Sequence, residues 1–366
     1  MINLYGLDRN RLQALFVGQG LQEFRGRQLM KWVYHQGKTD FAAMTDLPKT
    51  MRDWLAENAC FELPVVKEFF KSKDGTLKWV LDLNDGNLIE TVLIPEKSRN
   101  TLCVSSQVGC MLDCSFCSTG KQGFNGNLSS AMIVGQLVIA NQTLAAEGRT
   151  VTNIVLMGMG EPLLNFDAAI AATNIMKDDL AFNLSKRRVT ISTAGVVPAI
   201  NKLANVTDVS LAISLHAPND ELRNVLVPIN RKYPIAQLKK ACQSYVEHLG
   251  EARKLVIEYT LIKGVNDQRA HALELAELLK GVRCKVNLIP FNPFPGAEYQ
   301  RPRKADILDF QSIMMRAGYA TMLRTTRGED INAACGQLVG KVLDRTKRQA
   351  RYRAKLDANT IAIGTG

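Results

Sequence analysis

No stretch of this 366-residue chain stays apolar over the roughly 20 residues that a bilayer-spanning helix needs, and residues 1–10 hold no basic segment followed by an apolar run. Neither a membrane protein nor an exported one is expected, and the expected location is the cytoplasm. Low-complexity segments and internal repeats are also missing, while 46% hydrophobic content suffices for a substantial core. Eight cysteines would mean disulfides in a small secreted protein. In a large chain without an export signal they point instead to metal binding or catalysis. Acids are fewer than bases, 35 against 46, and the resulting net charge of +11 favours a polyanion as the large partner. The shortage of acid is sharpest at residues 345–355, with six basic residues and no acid. Such a tail is either a solvated helix or a contact to nucleic acid.

Residues 1–62 show helical spacing, with Leu12, Leu15 and Phe16, then Leu29, Trp32 and Val33, then Met51, Trp54 and Leu55 recurring every three or four positions. After Pro64 the period becomes that of short strands broken by Lys73-Asp74-Gly75 and Asn84-Asp85-Gly86, which predicts a three-stranded meander ending near Pro95. Residues 1–95 thus read as an accessory domain, 96–330 as an α/β core, and 331–366 as a C-terminal segment carrying Cys335 and the basic tail. In the core, strands are expected at residues 101–106, 153–157, 188–192, 209–215, 255–261, 285–291 and 319–324. Amphipathic helices alternate with them: one begins at Ser129 with Ile133, Leu137, Ala140 and Leu144 on one face, one opens at Pro234, and others cover 267–280 and 303–317. Repeated βα units imply a parallel sheet, doubly wound or curled into a full or partial barrel, with its ligand site at the C-terminal strand ends.

The segment Val108-Gly109-Cys110-Met111-Leu112-Asp113-Cys114-Ser115-Phe116-Cys117 sets three thiols four and three residues apart, on a loop after the first core strand. Three thiolates call for a soft cation. A cubane 4Fe-4S cluster held by three ligands keeps one iron open. The alternative is a zinc site completed by Cys103, although structural zinc usually pairs two close cysteine knuckles, and the second is missing here. Other residues read blandly in isolation. Gly158-Met159-Gly160-Glu161-Pro162 suits a strand-ending turn as well as a ligand loop, His216 a satisfied core histidine, and Cys103, Cys335, Cys60, Cys242 and Cys284 core thiols. Glu90, within the apolar run 88–94, reads as solvent-facing or as poised for proton transfer.

Cys-x3-Cys-x2-Cys at the end of a first βα strand is similar to the radical S-adenosylmethionine superfamily. The surrounding words resemble its RlmN and Cfr group of rRNA and tRNA adenine methyltransferases. Glu90-Thr-Val-Leu-Ile-Pro, Gln107-Val-Gly-Cys, Cys117-Ser-Thr-Gly-Lys-Gln-Gly-Phe, Gly158-Met-Gly-Glu-Pro, Ser192-Thr-Ala-Gly, Ser214-Leu-His-Ala, Asn292-Pro and Arg327-Gly-Glu-Asp-Ile-Asn-Ala-Ala-Cys-Gly-Gln-Leu follow that group's order from the helical domain to near residue 340.

The resemblance implies a partial βα barrel with an N-terminal accessory domain. It makes Cys110, Cys114 and Cys117 the ligands of one 4Fe-4S cluster, and Gly160, Glu161, Ser192, Ser214, Leu215, His216 and Asn292 the S-adenosylmethionine pocket. It makes Cys335 the methyl-carrying cysteine, Cys103 its resolving partner through a transient disulfide, and Glu90 the proton acceptor. The implied reaction methylates adenine C2 in the peptidyl-transferase loop of 23S rRNA and in tRNA 3′ of the anticodon, consuming two S-adenosylmethionine molecules per turnover. Implied partners are a flavodoxin- or ferredoxin-type electron donor and a thiol reductant, and a monomer is expected. C8 methylation of the same rRNA adenine uses the same parts, and a zinc-stabilised RNA-binding protein is the reading from another class.

Overall fold

The change of hydrophobic period at Pro64 is a change from helix to sheet in the computed structural model, which describes residues 1–352 and 354. A short strand β1 (Ile2–Asn3) leads into α1 (Arg9–Gly18), whose cap Asp8 accepts the Arg11 amide. Then come α2 (Phe24–Met30), continued by a π-helical turn at Lys31–His35, and α3 (Lys49–Asn58), and β2 (Ala59–Cys60) returns to pair with β1. Leu12, Phe16, Leu29, Val33, Met51 and Leu55 are buried in the core, as their spacing requires.

The meander follows as β3 (Val65–Lys71), β4 (Leu77–Asp82) and β5 (Leu88–Pro95). Its turns use the predicted residues: Gly75 and Gly86 both adopt φ +86°, and the Asp74 and Asp85 carboxylates accept the Thr76 and Asn87 amides. β5 pairs antiparallel with β6 (Asn100–Cys103), Val92 opposite Cys103, so the meander continues directly into the core sheet. A separate pair, β7 (Gln107–Gly109) and β8 (Phe124–Asn127), encloses the cysteine loop and the short α4 (Ser118–Lys121).

From there helix and strand alternate: α5 (Ser130–Ala145), β9 (Asn153–Leu156), α6 (Phe166–Lys177), β10 (Val189–Thr193), α7 (Val197–Leu203), β11 (Ser210–Ser214), α8 (Asp220–Leu226), α9 (Ile235–His248), β12 (Leu255–Leu261), α10 (Arg269–Leu278), β13 (Cys284–Pro290), α11 (Lys304–Arg316) and β14 (Thr321–Leu323). Ser129 caps α5 through the Met132 amide, and Ile133, Leu137, Ala140 and Leu144 are all buried. β12 is buried at every position, as a strand covered on both faces must be.

Each parallel strand lies beside its predecessor, in the order β6-β9-β10-β11-β12-β13-β14. A doubly wound sheet would reverse that order partway, and this one does not. The ten-stranded sheet ends on β14 at one margin and β3 at the other, so it is a partial βα barrel with two edges. The edge strand β3 is exposed along its whole length, including Val65, Val66, Phe69 and Phe70.

Candidate active site

The C-terminal ends of β9 to β13 surround an open cleft of about 930 Å³. Cys110, Cys114, Cys117, Gly160, Glu161, Ser192, Ser214, His216, Asn292 and Cys335 all line it, brought together from more than 200 residues of chain. Three other expected site residues, Glu90, Cys103 and Leu215, stand outside this lining. Leu215 is buried, its amide donating to the Glu258 carbonyl at 3.1 Å.

Gly109, at φ +73°, turns the end of β7 so that the Cys110 amide reaches the Gly123 carbonyl at 2.8 Å. The Cys117 amide donates to the Cys114 carbonyl at 3.1 Å. Burial pushes the Cys110 and Cys114 thiols up, and the neighbouring loop thiols push them further. A bound cation relieves that strain on the thiolates, so the donor set suits a metal centre. Cys103 does not complete a fourth corner: it lies on β6, with its thiol near the Met157 backbone and within electrostatic reach of Cys335. Among the described residues, no three His, Cys, Asp or Glu side chains converge on the position of one ion. A cubane asks for one thiol on each of three irons rather than three on one, and the loop brings three cysteines to one cleft.

The rest of the lining is close and polar. Gly160 adopts φ +99°, and a Cβ there would stand 2.4 Å from the Gln107 Cβ, so only glycine fits. The Glu161 carboxylate accepts the Leu163 amide at 3.1 Å and the Ala194 amide at 2.7 Å, yet burial still raises its pKa to about 7. The Ser192 and Ser214 hydroxyls are 3.5 Å apart. His216 adopts φ +59°, and its Nδ1 accepts the Thr260 amide at 2.9 Å, which leaves the ring proton on Nε2. Burial, with Arg223 adding to it, lowers the His216 pKa to about 3, and Phe116 packs edge-on against the ring at 4.6 Å. Asn292 donates to the Cys335 carbonyl at 3.3 Å and accepts from the Thr326 hydroxyl at 3.0 Å.

Cys335 is exposed to the cleft rather than being the core thiol that a cysteine read in isolation suggests, and its small neighbours Ala333, Ala334 and Gly336 leave it accessible. Its thiol pKa is raised, first by the surrounding protein and then by Glu258. It also lines a second, open cleft, whose walls include Arg324 and Arg327. Cys242 and Cys284 are buried, and Cys60 is half-buried. Glu90 is buried rather than solvent-facing, because β5 is covered on both faces. Its carboxylate pairs with the Lys78 ammonium at 3.1 Å and accepts the Val339 amide at 2.9 Å. Burial raises its pKa, and Lys78 opposes the rise.

Three residues that bear on this site carry no motif. Glu258 sits in the cleft wall with Asn287 donating to it at 2.8 Å; an acid inside the apolar run 255–261 is the one signal that would have found it. Arg223, wholly buried, ties the ends of β10 and β11 together through the carbonyls of Ala194, Ser214 and Leu215. Arg348 belongs to the basic tail but turns inward onto the cysteine loop. Arg353 and Lys355 of that tail lie outside the described residues.

Comparison with known proteins gives a consistent result. A family model described as the ribosomal RNA large subunit methyltransferase N-terminal domain matches residues 2–61, and one described as the radical SAM superfamily matches residues 104–276. The chain is 55% identical over 361 residues to a protein of Marinobacter nauticus named dual-specificity RNA methyltransferase RlmN, covering 98% of each chain. A protein of the same name from Pseudomonas fluorescens is also 55% identical, covering 98% of this chain and 94% of that one. The crystal structure of a radical SAM methyltransferase from Sphaerobacter thermophilus superposes with a TM-score of 0.85 at 45% identity, over 92% of this chain and 99% of that one.

Proposed function

Because this chain belongs to the RlmN family of radical S-adenosylmethionine RNA methyltransferases, we propose that it methylates C2 of adenine in 23S rRNA and in tRNA through a methyl-cysteine on Cys335. One observation carries the reading: Cys335 shares a single cleft with Cys110, Cys114 and Cys117, although more than 200 residues separate them in sequence.

Cys110, Cys114 and Cys117 would hold a 4Fe-4S cluster, which when bound would supply the electron for reductive cleavage of S-adenosylmethionine. Glu161 faces the methionyl ammonium: its pKa near 7 means that an adjacent cation readily draws it into the ionised form. Gly160 lets the ligand approach the backbone, while Ser192, Ser214, His216 and Asn292 offer hydroxyl, Nε2–H and amide groups, with Leu215 packed behind them. Adenine C2 is electron-poor and has no lone pair, so direct displacement on S-adenosylmethionine fails. Cys335, a soft nucleophile, instead takes the methyl group from one molecule of S-adenosylmethionine and carries it to the base, while a second molecule serves as radical source.

One methyl hydrogen would leave to the 5′-deoxyadenosyl fragment of that second molecule, and once the carbon is joined to C2 the enzyme and RNA are one covalent species. Glu90 accepts the C2 proton, a task suited to a carboxyl whose pKa burial has raised. The Cys103 thiol then attacks the Cys335 sulfur, freeing the methylated base and leaving a Cys103–Cys335 disulfide. A thiol reductant restores both cysteines, and a flavodoxin- or ferredoxin-type protein delivers the electrons. The RNA enters as an unstacked base, and the cavity beyond Cys335 carries Arg324 and Arg327 for its phosphates. The protein acts as a monomer.

Cys335→Ala is expected to abolish methylation, and Cys103→Ala to accumulate a covalent protein–RNA adduct visible on a denaturing gel. Methylation surviving in Cys335→Ala, or no adduct in Cys103→Ala, contradicts the scheme. Digestion of the product RNA to nucleosides reads the carbon directly: 8-methyladenosine in place of 2-methyladenosine moves the reaction to C8.

A further inference from the structure

One guanidinium from the basic tail reaches four carbonyls of the cysteine loop. Arg348 Nη1 donates to the carbonyls of Cys110 and Leu112 at 3.0 Å and of Gly120 at 2.9 Å, and Nη2 donates to that of Met111 at 3.0 Å. Its Nε stands 3.7 Å from the Asp113 carboxylate. The contacts fall on both sides of Cys114 and Cys117, so a single side chain ties the entry and exit of the loop that presents all three thiols.

The chain between Cys335 and Arg348 is fastened to the strand of residues leaving that loop. The Ser118 amide donates to the Gly336 carbonyl at 2.8 Å, and the Thr119 hydroxyl to the Leu338 carbonyl at 2.8 Å. The Gln122 side chain exchanges hydrogen bonds with both backbone groups of Gly340, and the Phe124 amide donates to Asp344. Side chains are absent where the two segments press closest. A Cβ on Gly123 would lie 2.0 Å from Asp344 Oδ1, and the strap is pressed as closely onto β5, where a Cβ on Gly340 would lie 1.9 Å from the Leu88 carbonyl oxygen.

We propose that Arg348 is a positioning residue for the cysteine loop: it fixes the carbonyl framework that aims Cys110, Cys114 and Cys117, and through the strap at residues 336–344 it fixes where Cys335 stands relative to them. The proposal deepens the cluster-binding reading of the loop and rests on it. A planar fork with five donors matches four converging carbonyls, whereas a lysine ammonium has three donors, all on one nitrogen.

Hydrogen exchange on the metal-free proteins, with the unaltered chain as reference, tests the geometry without the cluster. Arg348→Gln is expected to speed amide exchange at residues 110–124 and 336–344 while leaving β9 to β13 as protected as before, and Arg348→Lys to fall between the two. After reconstitution, an iron chelator should strip the Arg348→Gln cluster about 10-fold faster, the scale on which outer groups act on metal ligands. The electron paramagnetic resonance spectrum of its reduced cluster should also shift. Unchanged exchange in both segments overturns the proposal. So does exchange that rises evenly across the sheet, which makes Arg348 a general stabiliser. If the unaltered protein takes up no iron, the cluster-binding reading fails, while the exchange comparison still decides the role of Arg348.

Discussion

His216 combines a left-handed backbone at φ +59° with a ring held neutral by burial, its pKa lowered to about 3. The unfolded chain binds that proton below about pH 6.5, where the folded protein cannot, so the histidine costs stability as pH falls from 6.5 toward 3 and costs nothing above that window. Asparagine tolerates left-handed φ and does not titrate. The stability difference between the unaltered protein and His216→Asn is therefore expected to move by about 2 kcal/mol against histidine between pH 7 and pH 5, at 1.36 kcal/mol per pH unit below 6.5. Urea unfolding of the metal-free proteins at the two pH values measures it, and an unchanged difference contradicts the assignment. Residues of this kind were only partly legible in the sequence. The cysteine spacing announces a soft-metal loop by itself, but the burial of Glu90 depends on strands covering both faces of β5, and the exposure of Cys335 on a turn that carries no periodic signal. Glu258 was readable by the anomaly that marked Glu90, an acid within an apolar strand, and needed its neighbours to show that it faces the cleft.

Between elements, Arg223 on α8 does what no pair of strands can do for itself at a barrel mouth, where backbone carbonyls run out of partners. Its guanidinium serves Leu215 at 3.0 Å, Ala194 at 2.6 Å and Ser214 at 3.2 Å, and Asn230 at 2.8 Å holds it from behind. Burial depresses its pKa to about 10, so it remains charged at neutral pH. Arg223→Met is expected to cost about 3 kcal/mol or more, since each buried carbonyl left without a donor costs roughly 1 kcal/mol or more. A loss below about 1 kcal/mol in denaturant unfolding would mean that water takes over those carbonyls. The strands joined here were legible: each expected core strand has an observed counterpart within a few residues, because strands buried on both faces are continuous apolar runs. Their winding was not legible, since periodicity reports which face is buried and says nothing about which strand lies next door. Sequential adjacency from β6 to β14, and the antiparallel join of β5 to β6, appear only in the pairing.

At the scale of the whole molecule, the excess of 11 positive charges is held by an open sheet whose mouth is bordered by Arg324 and Arg327. RNA binding is expected to weaken steeply with salt, the logarithm of the association constant falling linearly with the logarithm of salt concentration as phosphate counterions are displaced. A filter-binding titration with a tRNA substrate gives the slope, and a flat response contradicts phosphate anchoring. The helical unit is fastened to this body by Arg9, which pairs with Asp178 and Asp179, and by the Ser130 hydroxyl donating to the Gly6 carbonyl at 2.7 Å. The strap at residues 336–344 has a bearing on biosynthesis. It leaves the ribosome after the three loop thiols and the strands around them, which all precede it in the chain. A nascent chain can bring Cys110, Cys114 and Cys117 together before Cys335 exists beside them, so the cleft receives its exposed thiol only after its other walls have been made.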